Sequence, residues 1–132
     1  MLSAAERGRG DARTAAHHAA LALAVAARLD DAYLLGVAAH EAGAVHDALG
    51  EPGRAIEHHR TAWRMTARIR SRFLEIRHAI ALAVAERRLA LATGLPLNRP
   101  EVPDLRRALH QAHRAGYRGL EEAALAGLAE QN

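Results

Sequence analysis

The chain has no cysteine, no lysine and only four aromatic side chains, Tyr33, Trp63, Phe73 and Tyr117. Without cysteine there are no disulfides, no thiolate metal sites and no cysteine nucleophile, a composition that fits a reducing cytosol. Without lysine, all 18 basic residues are arginine; this lifts the isoelectric point to 10.5 although the formal charge is only +3 against 15 acidic residues. Alongside heavy use of Ala, Leu and Gly, such arginine usage reads as the composition of a GC-rich genome, and so it is weak evidence for phosphate recognition. The scarcity of aromatics also removes the stacking platforms that single-stranded nucleic acid requires. Composition therefore argues against direct nucleic-acid contact.

Long hydrophobic runs are missing too. The longest, Ala19 to Ala27, stops at Arg28, far short of the roughly 20 residues that span a bilayer. The opening Met1-Leu2-Ser3-Ala4-Ala5-Glu6-Arg7 carries charge in its first turns and has no apolar core of signal-peptide length. The expected location is cytoplasmic, with no membrane contact. Nor is there a glycine-rich phosphate loop or a nucleophile elbow, and the carboxylates are scattered among oppositely charged neighbours. No catalytic constellation is visible, and no cofactor is implied.

What the chain does have is helical periodicity from end to end. Its 132 residues suffice for one domain with its own core. Apolar residues recur every three or four positions, and strand-type alternation is absent. This predicts an all-α fold of about six helices: Ala12 to Leu29 behind an Asp11 cap, a second ending near Leu49, and a third from Pro52 to Ile69. A fourth, Ser71 to Thr93, carries Phe73, Ile76, Ile80 and Val84 on one stripe and Leu82 and Leu89 on another, so it should be packed on two sides. The fifth runs from Val102 to Ala115 and the last from Arg118 to Glu130. Residues 1–10 are expected to form a flexible segment and 11–132 a single domain. Short connections such as Gly50-Glu51-Pro52-Gly53 imply antiparallel neighbours.

The helices repeat. Gly10-Asp11 followed by Ala15, His18 and Ala22 returns 40 residues later as Gly50-Glu51 followed by Ala55, His58 and Ala62. Small residues returning to the same face let two helices approach to within ~8 Å. With Gly43, Gly50, Ala55 and Ala62, the segment 36–67 resembles a tetratricopeptide repeat, although Ala39, His46 and His59 stand where that family has large aromatics. The long helices and the 40-residue spacing are similar to the repeats at the C-terminal end of actinobacterial multidomain transcription regulators. The resemblance implies antiparallel helix hairpins stacked as a short right-handed solenoid. In it the first helix aligns with the second helix of a repeat. It also implies a non-catalytic protein or peptide interaction module whose partner binds a concave groove.

By the family's register that groove exposes Val37, His40, Ala44, Asp47 and Ala48 on the second helix. From the fourth helix it receives either Arg77, Arg87 and Arg88 or the face of His78 and Glu86. A basic groove would favour an acidic or C-terminal carboxylate ligand. The alternative is self-association, as a homodimer burying the apolar faces of the terminal helices. A histidine-based metalloenzyme is the third reading. Against it, His40 and His46 are six residues apart, about 240° round a helix, and His110 and His113, three apart, have no evident third ligand. No metal site is expected. In His17-His18 and His58-His59, one imidazole of each pair should be interfacial and one exposed. Trp63 and Phe73 are assigned to the core, and Arg64, Arg68, Arg70 and Arg72 to a solvated face.

Overall fold

In the computed structural model, residues 4–95 and 102–130 are described, apart from the side chains of residues 4–7 and 9. Every regular element among them is helical: α1 (Ala4–Leu29), α2 (Ala32–Ala48), α3 (Pro52–Met65), α4 (Arg72–Thr93), α5 (Leu105–Ala115) and α6 (Arg118–Ala129), with a single 3₁₀ turn at Thr66–Arg68. No described helix is long and apolar enough to cross a membrane.

The punctuation is local chemistry. Asp31 caps α2 by accepting from the Leu34 amide at 3.1 Å, Ser71 caps α4 through the Leu74 amide at 3.2 Å, and Asp104 caps α5 through the Arg106 amide at 2.9 Å. Each such bond satisfies an amide that the first turn leaves unpaired, and each contributes about 1 kcal/mol. At Gly50 the backbone turns left-handed, with φ 71°, and Pro52 opens α3 immediately afterwards. Three boundaries differ from the periodicity. Asp11 lies inside α1, which begins at Ala4 instead of Ala12 because Ala, Glu and Arg propagate helix equally well upstream. Thr66 draws its hydroxyl onto the Trp63 carbonyl at 2.6 Å, and α3 gives way there to the 3₁₀ turn. The Asp104 cap starts α5 at Leu105, three residues after Val102. Most of the expected connector, residues 96–101, lies outside the described residues.

Successive helices pack on one another from α1 through α6, and α6 also rests on α4. α2 and α3 approach closely, as do α4 and α6 at Gly127. A Cβ on Gly43 would sit 2.5 Å from the His59 ring, and one on Gly36 would sit 3.3 Å from Met65 Cβ. Ala55 and Ala62 of α3 are completely buried. Gly43, Ala55 and Ala62 of the small-residue skeleton are therefore helix contacts, whereas Ala15, Ala22 and Gly50 are exposed. Two apolar clusters follow. Ile76, Ala79, Ile80 and Ala83 of α4 meet Leu105, Ala108 and Ala112 of α5 and Ala124 of α6, while Ile56 of α3 meets Leu82 and Ala85 on the other side of α4. Half-buried Trp63 borders both clusters. Phe73, assigned to the core by its stripe, is 42% exposed; it stands at the first turn of α4, beyond the core, and meets Tyr117 edge-on at 5.2 Å.

Candidate functional site

Alternate helices turn toward one concavity. Its floor is α4, through Arg77, Ile80, Ala81, Val84 and Arg88; one wall is α2, through His40 and Asp47, and the other is α6, through Leu120, Ala123, Ala126, Gly127 and Glu130. The groove encloses about 340 Å³. Of the eight residues expected in the groove from the second helix and the arginine face of the fourth, four, His40, Asp47, Arg77 and Arg88, come together there. Val37 is half-buried and Ala44 and Ala48 are exposed on α2, all outside the lining. Arg87 is also outside it, half-buried, with Nη1 enclosed and unpartnered among the described residues. Of the two faces left open for α4, Arg77 and Arg88 of the first line the groove without Arg87, whereas His78 of the second is fully buried and Glu86 is 5% exposed.

Charge in the groove is largely matched. Arg88 donates to both carboxylate oxygens of Glu130, with its Nε at 3.0 Å from Oε2, and its Nη1 lies 3.6 Å from Asp47. The Glu130 carboxylate raises the Arg88 pKa, and in return the guanidinium holds Glu130 below the usual carboxylate range. Among the described residues Arg77 makes only a long 3.4 Å contact with Glu41, which is exposed. The groove is thus an apolar floor with one cation, Arg77, loosely engaged. The basic groove expected from three arginines is reduced to that one.

Beneath the α2 wall lies a group of imidazoles. The His40 ring is 5.1 Å from His78 and 5.7 Å from His59, centre to centre. His59 Nε2 donates to Asp47 Oδ2 at 2.9 Å, but its Nδ1, His40 Nδ1 and both nitrogens of His78 have no hydrogen-bond partner among the described residues. Burial, reinforced by Arg77 and the neighbouring imidazoles, pushes His40 down to about 3; burial and then Arg77 push His78 down to about 4. Both are therefore neutral near pH 7. No group of three or more His, Asp or Glu among the described residues is placed to hold a metal ion.

The remaining histidines divide differently from the expectation. His58 stacks on His46 at 5.3 Å, and His46 Nδ1 donates to Glu51 at 3.1 Å, which holds Glu51 below its ordinary value. His17 and His18 are both exposed, since α1 has no described neighbour on that side. His110 is exposed as well, and His113 donates to Glu121 at 2.8 Å. Arg64, Arg68, Arg70 and Arg72 are all exposed.

The contribution of α6 escaped the sequence reading, though its spacing carried the information. The intervals between 37, 40, 44 and 47 return at 120, 123, 127 and 130, so that Glu130 stands to α6 as Asp47 stands to α2, and both reach Arg88. No protein-family model, curated protein or solved structure matches the chain.

Proposed function

We propose that this chain is a non-catalytic protein or peptide interaction module built on tetratricopeptide-like hairpins, and that its ligand lies in the groove between α2 and α6, over α4. The observation that carries the reading is the alternation itself. Even-numbered helices line one concavity while odd-numbered helices pack outside it, which is how stacked hairpins generate a binding surface. Ala81, Val84, Leu120 and Ala123 offer apolar area, and Arg77 offers a charge-assisted hydrogen bond. The ligand that fits is a short helical or extended segment bearing apolar side chains and one carboxylate. The transcription-regulator setting belongs to the same proposal and is supported by the resemblance in repeat spacing.

The test is selection of binders from a displayed peptide library, followed by calorimetric titration of the selected peptides. Ala123→Trp fills the groove from its exposed α6 wall, and Arg77→Glu reverses its one loosely held charge. Affinity should fall at least tenfold in each, with Arg64→Glu, on the exposed end of α3, behaving like the parent. Peptides that bind all three variants equally, or a library that yields no binder, would sink the reading.

A further inference from the structure

The helices play two parts in the stack, and the first and last described helices each have one such face open. The outer helix α3 lies between groove helices α2 and α4, and α5 lies between α4 and α6. Outer helix α1 has a groove helix on one side only, and α6 has no outer helix beyond it among the described residues.

The 40-residue repeat identifies the uncovered face residue by residue. In α3 the stripe Ala55, His58, Ala62, Met65, continued by Ile69, is turned toward α2: His58 stacks on His46, and Met65 and Ile69 border Gly36. Forty residues earlier the same stripe reads Ala15, His18, Ala22, Val25 and Leu29, and every member is exposed, Val25 by 57% and Leu29 by 61%. The neighbouring stripe confirms the register. Ala12, Ala16, Ala19, Leu23 and Ala26 are the buried or half-buried residues among the described side chains of α1, and 40 residues on they become Pro52, Ile56, His59, Trp63 and Thr66, of which Ile56 and Trp63 pack on α4 while His59 also reaches Gly43 of α2. Thus α1 is an α3-type helix whose groove-helix face is open among the described residues.

The opposite end presents the complementary half. α6 is a groove helix seated on α4 and α5 through Ala124 and Gly127. The side facing neither of them nor the groove carries Glu122, Leu125 and Ala129, all exposed, Leu125 by 51%. Gly119, at the same end, has open space where a Cβ would be. One chain therefore holds a groove helix lacking its outer helix and an outer helix lacking its groove helix.

We propose that a second copy of the chain supplies each missing partner: α6 of one molecule packs antiparallel on α1 of the next, making between two copies the hairpin that α2 and α3 make within one. Antiparallel pairing sets Leu125 against Ala22 and Val25. It also brings Glu122, near the start of α6, beside the exposed Arg28 at the end of α1, so charge as well as shape is complementary. Such a contact joins two different faces; it leaves one of each free and propagates head to tail, where a twofold contact would stop at a dimer. The inference does not depend on what the groove binds.

Sedimentation velocity across a wide concentration range tests it. The parent protein should grow past dimer as concentration rises. Val25→Asp and Leu125→Asp each spoil one exposed face, and each should remain monomeric alone. An equimolar mixture should form a heterodimer and stop there, because each variant keeps the face the other lacks. Thermal unfolding of each variant checks that the fold survives. The milder pair Arg28→Glu and Glu122→Arg provides a second test, each weakening assembly and the mixture restoring it. A parent that stays monomeric, a Leu125→Asp variant that assembles normally, or a mixture that stays monomeric would overturn the head-to-tail arrangement. The second of these would point to α1 pairing with α1.

Discussion

Acidification from pH 7.5 to pH 5 should destabilise this protein steeply, through the two imidazoles buried between α2 and α4. His40 and His78 have pKa values of about 3 and about 4 in the folded chain, against 6.5 when exposed to water. In that window the unfolded chain binds a proton at each position and the folded chain does not, so unfolding takes up protons and stability falls as pH falls. The contribution is fully present above the unfolded value of 6.5 and is lost progressively on the way down to the folded values. For a group with a folded value well below 5, the loss between pH 7.5 and pH 5 is about 2 kcal/mol, and for two such groups about 4 kcal/mol. A domain of this size has a total stability of roughly 5–15 kcal/mol. His58, whose pKa burial also lowers, adds in the same direction. Glu51 and Glu130, held low by His46 and Arg88, lose their contribution only as pH falls through and below 4.5, so the chosen window isolates the histidines. The assay is urea denaturation at pH 7.5, 6.5, 5.5 and 5.0, read by far-ultraviolet circular dichroism. His78→Leu should keep or raise stability at pH 7.5, because neither ring nitrogen has a described partner to lose. It should also remove about half of the pH dependence due to the pair. Stability that is flat from pH 7.5 to pH 5, or a His78→Leu variant with the parent's slope, would refute the reasoning.

Two further substitutions probe the packing that brings these rings together. Gly43→Ala places a methyl 2.5 Å from an imidazole that Asp47 anchors, so it should cost at least about 1–3 kcal/mol in urea unfolding. Gly36→Ala, with 3.3 Å to Met65 Cβ, should cost less, and the reverse order would contradict the geometry. Arg60 donates to Glu86 at 3.0 Å, and the Glu86 side chain is only 6% exposed. Arg60→Ala therefore strands a buried carboxylate and should destabilise by roughly 3–5 kcal/mol, while Arg60→Met with Glu86→Leu recovers most of the loss; a non-additive double-mutant cycle is the check.

The all-helical class and the five helix connections, near Leu29, Gly50, Ser71, Gly94 and Gly116, were legible because caps and turns are written in single residues with a fixed backbone role. The small-residue repeat was legible for the same kind of reason, since Gly43 tolerates the His59 ring where no other residue does. The orientation of α4 was not. Its two apolar stripes cover both sides of the helix, and Arg77 and His78 are neighbours; only the positions of α3 and α6 decide which of them meets solvent. The burial of His59, His78 and Glu86 was equally hidden, because each is polar by type; His59 and Glu86 enter the interior with partners 12 and 26 residues away, Asp47 and Arg60, and His78 enters it with no hydrogen-bond partner among the described residues. Phe73 failed in the opposite sense: periodicity places it on the core stripe, but the stripe outruns the core by one turn.

These two kinds of residue meet at His40, which borders the groove and also belongs to the buried imidazole group. A change there alters the binding surface and the stability of the α2 wall together, so a loss of affinity in His40→Ala would not by itself locate the ligand. Asp47 has the same double allegiance, since it accepts from His59 below and neighbours Arg88 above. Ala123, an exposed alanine on the far wall, does not, and Arg77, whose one contact among the described residues is a long one to the exposed Glu41, touches the imidazoles through its charge alone. Binding energy is therefore best measured from the α4 and α6 sides of the groove. The α2 side reports how firmly the groove is built, and its response to acid should set the pH below which any ligand is released.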